Sequence, residues 1–354
     1  MVEIELKFQI SEARRTALLK ALDPKKSETI QLQAKYFDTP DRLLAQHGAA
    51  LRQRLEGTCW IQTLKAAGKS HLHRFEHNHN LGELESSPEL DLSIYEAIPE
   101  AQQILTQALG VDAAALKLTF ETDIQRTYRV IEFEDAEIEV CLDVGVVRAS
   151  GREQTIHEVE FELKSGSVQS LLAFSFEWVK KYQLWLDVRS KAEMGNLLAL
   201  EQTVSPARFE KEFVLSKKES AAHNLSLLIG QQMQHLLPNI AAISAGVAEQ
   251  SHIDQAQTAL EHLQLTLALF KDWNSNISDK WAMQLAAFKH QFDHLQHLQH
   301  MQSTLGAFLQ NPTTTENLAK DILYAQEKLG NLVKSTQNVH HYLELLTFSL
   351  SSHD

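Results

Sequence analysis

The sequence predicts two domains of different class. One is an α+β domain built on a β barrel with a polar interior and flanking helices. The other is an all-α helical bundle. Three observations predict this. Charged and apolar residues alternate strictly in several segments of the first 200 residues. Apolar residues recur at helical spacing after residue 205. The charge content also changes at that point: residues 1–204 hold 23 of the 33 Lys+Arg and 32 of the 46 Asp+Glu, whereas 11 of the 17 histidines follow. The expected domains are 1–200 and 205–354, and 354 residues accommodate two domains of ordinary size.

In the first domain, residues 3–8, 51–55, 137–140 and 158–164 alternate with period two, as strands with one polar and one apolar face do. A single such strand would simply face water. Four strands carrying ranks of full charges, acids on some and arginines on others, suggest a barrel with a polar interior and helices packed outside. Short helices are expected at 11–21, 101–109 and 171–182. In the second domain Leu225, Leu228, Ile229, Met233 and Leu236 form one amphipathic set, and Leu260, Leu263, Leu267 and Phe270 form another. Leu329, Leu332 and Val333 continue into Leu343 and Leu346 as a third. Breaks are expected at 237–239, 274–276 and 311–313, with Thr313–Thr315 before Glu316 starting a helix; four or five helices follow.

Composition excludes several function classes. Hydrophobic residues make up 44% and charged residues 22%, ordinary for a globular chain. There is no apolar run of about 20 residues and no basic n-region before an apolar stretch, so neither a membrane span nor a secretory signal is expected. Two cysteines, Cys59 and Cys141, make no disulfide framework and fit a reducing, cytoplasmic setting as packing residues. A net charge of −13 argues against nucleic acid as a partner. His71, His73, His77 and His79 alternate on a polar segment, and His294, His297 and His300 recur at i, i+3, i+6. Metal binding is open at both, but solvated or hydrogen-bonded histidines account for them more simply.

The charged residues form an ordered series. Glu3-x-Glu5-x-Lys7 opens the chain, followed by Tyr36-Phe37-Asp38-Thr39, Gly48-x-x-Leu51-Arg52-x-Arg54, Trp60-x-x-Thr63-x-Lys65 and Arg74-x-Glu76. Thr122-x-x-x-Arg126, Asp143-x-Gly145, Glu158-x-Glu160-x-Glu162-x-Lys164-x-Gly166 and Ser190-Lys191 complete it. This order and spacing resemble the CYTH family, the triphosphate tunnel metalloenzymes, over about residues 1–200. The resemblance implies an eight-stranded antiparallel β tunnel, a triphosphate substrate such as inorganic tripolyphosphate, and Mg²⁺ or Mn²⁺ as cofactor. It implies metal ligands Glu3, Glu5, Glu158 and Glu160, and catalytic Glu3, Glu5, Lys65 and Lys191. It implies substrate contacts from Lys7, Arg52, Arg54, Lys65, Arg74, Arg126 and Lys191. Glu76, Glu139, Asp143 and Glu162 are further candidates. Glu76 could instead be a structural ion-pair partner of Arg74 or Lys65, Asp143 a turn residue, and Glu139 the partner of a neighbour. The flanking Glu121, Asp123 and Gln125 leave the facing of Arg126 open.

The chemistry of these residue types agrees. Hard divalent cations take carboxylate oxygens, and arginine forks and lysine ammoniums suit phosphate oxygens. The expected activity is a metal-dependent inorganic triphosphatase. The alternatives are a nucleoside or thiamine triphosphatase, a class IV-type adenylyl cyclase, or a non-catalytic polyphosphate- or nucleotide-binding protein.

The helical half resembles a truncated, chemically altered CHAD domain, the polyphosphate-binding module that often follows CYTH. The match rests on residues 254–264 leading to Phe270, where the family's basic positions read Asp254, Gln257, Glu261, His262 and Gln264. A stabilising, partner-docking or homodimer-forming role is expected for it.

Overall fold

The computed structural model describes residues 2–68, 70, 72–110, 112–212, 215–271, 275–305, 308 and 312–351. The chain forms two compact units: Met1–Phe174 with Val188–Ser205, and Ser175–Asp187 with Pro206–Asp354.

The first unit is a closed antiparallel barrel. Its strands are β1 (Val2–Gln9), β2 (Glu28–Asp38), β3 (Ala49–Glu56), β4 (Cys59–Ala67), β5 (His73–Glu83), β6 (Lys117–Phe133), β7 (Ala136–Ala149) and β8 (Arg152–Ser165). The order β5-β4-β3-β2-β6-β7-β8-β1 closes because β1 pairs with β8 on one side and β5 on the other. Period-two alternation then sends Glu3, Glu5 and Lys7 to the interior, while Leu6 and Phe8 point outward. Phe8 packs on Phe161, with centroids 5.1 Å apart, and Phe161 packs on Phe174 of helix α4 (Val168–Tyr182) at 5.2 Å.

The helices wholly within this unit are α1 (Glu12–Ala21), α2 (Leu43–Gln46), α3 (Pro99–Leu109) and α5 (Lys191–Ala199). Ala101, Ala108 and Leu109 of α3 cover the outer face of β3, β4 and β5 through Leu51, Leu64 and Phe75. Asp38 and Thr39 fix α2: the Asp38 carboxylate accepts from the amides of Leu44 and Ala45, and the Thr39 hydroxyl from that of Leu43. Such acceptors satisfy amides that a helix start leaves unpaired.

The interior is not polar throughout. Toward one end the inward positions are Leu32, Ala34, Phe120, Ile124, Val147 and Ile156, packed with Met194 of α5. The helix closes this end, so apolar residues take the inward positions there. Gly195 permits the approach, since a Cβ at that position would lie 2.1 Å from the Phe120 ring.

In the second unit, the described residues form α6 (Ala221–Ser244), α7 (Gln250–Leu269), α8 (Ser275–Leu305), α9 (Pro312–Val333) and α10 (Thr336–Leu350). The expected break at 237–239 is absent. Pro238 lies inside α6, and its neighbours Leu236, Leu237, Asn239 and Ile240 are buried. Their packing outweighs the roughly 3 kcal/mol that an interior proline costs. The third apolar set is two helices: the Ser335 hydroxyl accepts from the Asn338 amide and starts α10. The breaks at 274–276 and 311–313 fall partly outside the described residues, as does His71. No described helix is long and apolar enough to cross a membrane.

Candidate active site

All eight strands place inward side chains around one charged belt. Along β1, Glu3 accepts from Lys65 Nζ at 2.8 Å, and Glu5 pairs with Arg74 at 2.9 Å. Lys7 Nζ lies 3.9 Å from Glu158 and 3.8 Å from Glu160. Glu76 on β5 pairs with Lys65 at 2.9 Å and Arg52 at 3.8 Å. Arg54, next inward on β3, donates to Glu56 at 2.6 Å.

On the opposite side of the belt, Arg126 donates to both Asp143 oxygens, at 2.7 and 2.6 Å, and to Glu160 at 2.5 Å. This settles its facing: Arg126 shares the inward face with Ile124, while Asp123 joins Gln31 and Arg148 on the outside. Asp143 is no turn residue. It sits within β7 and is 0% exposed. Nearer the barrel end away from α5, Glu139 and Glu162 pair in register, and Lys164 bridges them at 3.3 and 2.9 Å.

Asp143, Glu158 and Glu160 form a distinct triad. Among the described residues they are a group offering one ligand oxygen each, all within 4.8 Å of one another. Neither histidine series belongs to such a group among the described residues. Lys191, the first residue of α5, projects into the triad. Its Nζ lies 2.8 Å from Asp143 and 2.8 Å from Glu160, and also bonds Glu158. The second Glu158 oxygen is buried without a hydrogen-bond partner. Hard oxygen donors, a vacant buried lone pair and an ammonium already held there fit a divalent cation site.

The electrostatics follow from crowding in a dry interior. Burial opposes the Lys191 charge, yet Asp143, Glu158 and Glu160 outweigh it and raise its pKa well above the usual value. Glu160, despite burial, is held well below the usual carboxylate range by Lys191, Arg126 and Lys7. Asp143 is lowered in the same way by Arg126 and Lys191, whereas burial leaves Glu158 raised. Glu3 is pushed up to about 8 by burial and by the Glu5 and Glu76 carboxylates, with Lys65 opposing.

Helix α5 and a role for Tyr36 were not predicted from sequence, although Lys191 and Tyr36 both stand in the motif series. Helix α5 carries Lys191, and its start was legible in Ser190-x-x-Glu193: the Ser190 hydroxyl accepts from the Glu193 amide at 3.0 Å. Tyr36 faces inward, stacked on Phe120 at 4.4 Å. Burial raises its phenol, but Arg52, Lys191 and Arg54 overcome this and lower its pKa. Tyr36 belongs to the same face as Ala34, so alternation along β2 was the available signal.

The barrel is thus polarised. Arg52, Arg54 and Arg126 on β3 and β6, with Lys65 of β4, form one wall, and carboxylates on β7, β8, β1 and β5 form the other, where Lys7 and Arg74 pair with them. A CYTH domain model matches residues 1–195, more than half of the chain. The chain belongs to the CYTH family. This CYTH chain is 33% identical over 227 residues to an inorganic triphosphatase of Haemophilus influenzae; the match covers 62% of each chain. It therefore spans less than two thirds of that relative's length. Among solved structures it resembles a Hippeastrum protein described as a candidate adenylyl cyclase with a dominant triphosphatase activity. That match has 18% identity and a TM-score of 0.40, covering 57% of this chain and 97% of the other. A candidate adenylate cyclase from Bacillus halodurans matches at 23% identity and a TM-score of 0.38, covering 51% and 89%.

Proposed function

We propose that this CYTH chain is a metal-dependent inorganic triphosphatase, hydrolysing tripolyphosphate to pyrophosphate and phosphate inside the barrel. The observation that carries the proposal is the polarised belt. A phosphate-binding protein alone has no use for a buried carboxylate triad beside its arginines. A tunnel that must hold both a polyanion and a cation needs both walls.

Asp143, Glu158 and Glu160 would hold Mg²⁺ or Mn²⁺, with Glu5 the adjacent acid of β1. When bound, the cation neutralises phosphate oxygens and raises the electrophilicity of the terminal phosphorus. Arg52, Arg54 and Arg126 orient the phosphate chain with planar donor forks, and Lys7 and Lys65 add point charges. A water oxygen bonds to the terminal phosphorus as the bond to the pyrophosphate oxygen breaks. Such a transfer asks little covalent chemistry of the protein, so fixed charges aimed at the phosphoryl oxygens do most of the work. Glu3, held by the Lys65 ammonium, would in its ionised form be a carboxylate able to take the proton that the water loses.

The helical half carries no net positive charge. Residues 205–354 carry 10 basic and 14 acidic residues. At the positions where the CHAD resemblance expects basic residues, Gln257 is bonded to Asp293 and His262 to Glu210. We assign this half a stabilising or partner-docking role rather than polyphosphate binding.

The test is phosphate release from tripolyphosphate, ATP and thiamine triphosphate, each with and without Mg²⁺ or Mn²⁺. The expected result is metal-dependent release, fastest with tripolyphosphate. Preference for ATP or thiamine triphosphate would replace the substrate, and no release from any would leave a binding protein.

A further inference from the structure

Lys191 occupies the position at which three carboxylates converge. Its ammonium bonds Asp143, Glu158 and Glu160 at once, and these acids are almost wholly shielded from water. Their acceptor atoms lie within 4.8 Å of one another, a space in which a second cation would face the ammonium at contact distance. Repulsion between like charges at that range is strong in a poorly solvated interior. A divalent cation and the Lys191 ammonium therefore cannot hold the triad together.

We propose that Lys191 is an exchangeable internal counter-cation. It neutralises the carboxylate triad while no metal is bound, and it is released toward the arginine wall when a divalent cation takes the triad. The proposal rests on the metal-dependent reading above.

The surroundings support an exchange rather than a fixed salt bridge. Lys191 is the first residue of α5, and its backbone is anchored independently by the Ser190 cap. The side chain can therefore move without unwinding the helix. Lys7 reaches the same acids only at 3.8–3.9 Å and is tied to the Arg189 carbonyl at 3.3 Å, so it remains behind as a partial counter-charge. On the other side, Arg126 bonds Asp143 and Glu160, two of the acids that Lys191 holds. That shared neighbourhood places Lys191 next to the groups proposed to bind phosphate. One ammonium thus serves the carboxylates in the metal-free protein and phosphate oxygens in the metal-bound one. Metal entry and readiness for phosphate become coupled.

The experiment measures Mn²⁺ affinity of the full chain without any phosphate compound, by calorimetry at pH 7.5. The proteins compared are wild type, Lys191→Met and Lys191→Arg. Lys191→Met removes the competitor, and its affinity should rise about fivefold or more, the lower end of ordinary coupling between sites. Lys191→Arg keeps the charge and should show no such gain. A folded Lys191→Met protein that binds Mn²⁺ no more tightly than wild type overturns the proposal.

A second measurement does not depend on Lys191→Met and uses the charge-conserving variant only for assignment. With ¹³C-labelled lysine ε-carbons, the resonance that Lys191→Arg removes should move on adding Mg²⁺ alone to wild type. An unmoved resonance at saturating Mg²⁺ overturns the proposal. A protein that shows this exchange but releases no phosphate keeps the inference and loses the triphosphatase assignment; the opposite pattern does the reverse.

Discussion

Removing Arg126 probes the polarised belt most severely. Its guanidinium makes a bidentate pair with Asp143 and a third bond to Glu160, and Asp143 is fully buried. Arg126→Ala leaves two carboxylates without one of their cations, and breaking a buried pair in this way costs about 3–5 kcal/mol. Lys191 still contacts both acids, which argues for the lower end. Arg126→Lys keeps the charge but loses the fork, and should cost roughly 1.5–3 kcal/mol for one charge-assisted bond. A divalent cation on the triad supplies positive charge, so saturating Mn²⁺ should recover part of the Arg126→Ala loss. The assay is hydrogen exchange of the β6 and β7 amides with and without Mn²⁺, which reads opening of this unit alone. A change below about 1 kcal/mol in Arg126→Ala, or a loss that Mn²⁺ deepens, would refute the reasoning, since the pair would not be buried and coupled as described.

Arg52→Ala removes a donor of the arginine wall and should weaken a non-hydrolysable triphosphate analogue roughly 10- to 150-fold by calorimetry, the equivalent of one charge-assisted bond. Gly195→Ala puts a Cβ into the Phe120 ring; overpacking of this kind costs about 1–3 kcal/mol. It should also lower turnover by displacing α5 and Lys191, and a variant with normal turnover and stability would mean that α5 is not seated on Phe120. In the second unit, the His341 ring at 3.9 Å and the donors Lys280 at 2.7 Å and Trp281 at 3.2 Å hold Glu344 down to about 2, against its partial burial. Because the folded-state pKa is depressed, this contribution to stability is present above the ordinary value near 4.5 and is lost as pH falls toward 2. Glu344→Gln should flatten that limb of an acid-unfolding curve, and an unchanged limb would count against the assignment.

How far the site could be read from sequence depended on which face of each strand carried charge. On β1 and β8 the interior face is the charged one, and Glu3-x-Glu5-x-Lys7 and Glu158-x-Glu160 stand out. On β6 the pattern is inverted: Glu121, Asp123 and Gln125 face outward, while Phe120 and Ile124 share the inward face with Arg126. Alternation alone could not place Arg126, and only its partners on β7 and β8 do. Asp143 was a site candidate that could also be read as a turn residue, because Gly145 follows it; in the fold Gly145 lets β6 approach, since a Cβ there would meet the Asp123 carbonyl at 2.1 Å. The convergence of Lys191 with the triad spans some fifty residues of sequence and has no local signature beyond the Ser190 cap. Pro238 misled in the ordinary way, because local propensity gives way to burial on both sides.

The central claim is that the two walls of the barrel act together on a metal-bound triphosphate. The most direct measurement is the rate of phosphate release from tripolyphosphate by wild type and Glu160→Gln across a Mg²⁺ or Mn²⁺ titration. The variant keeps the size of the side chain and removes one charge from the triad. The account predicts release that requires the metal in wild type and falls on the order of 10²–10³ in Glu160→Gln, as for loss of a group aimed at the transition state. Release by wild type that is indifferent to metal, or near wild-type turnover by Glu160→Gln at the same metal concentration, would contradict it.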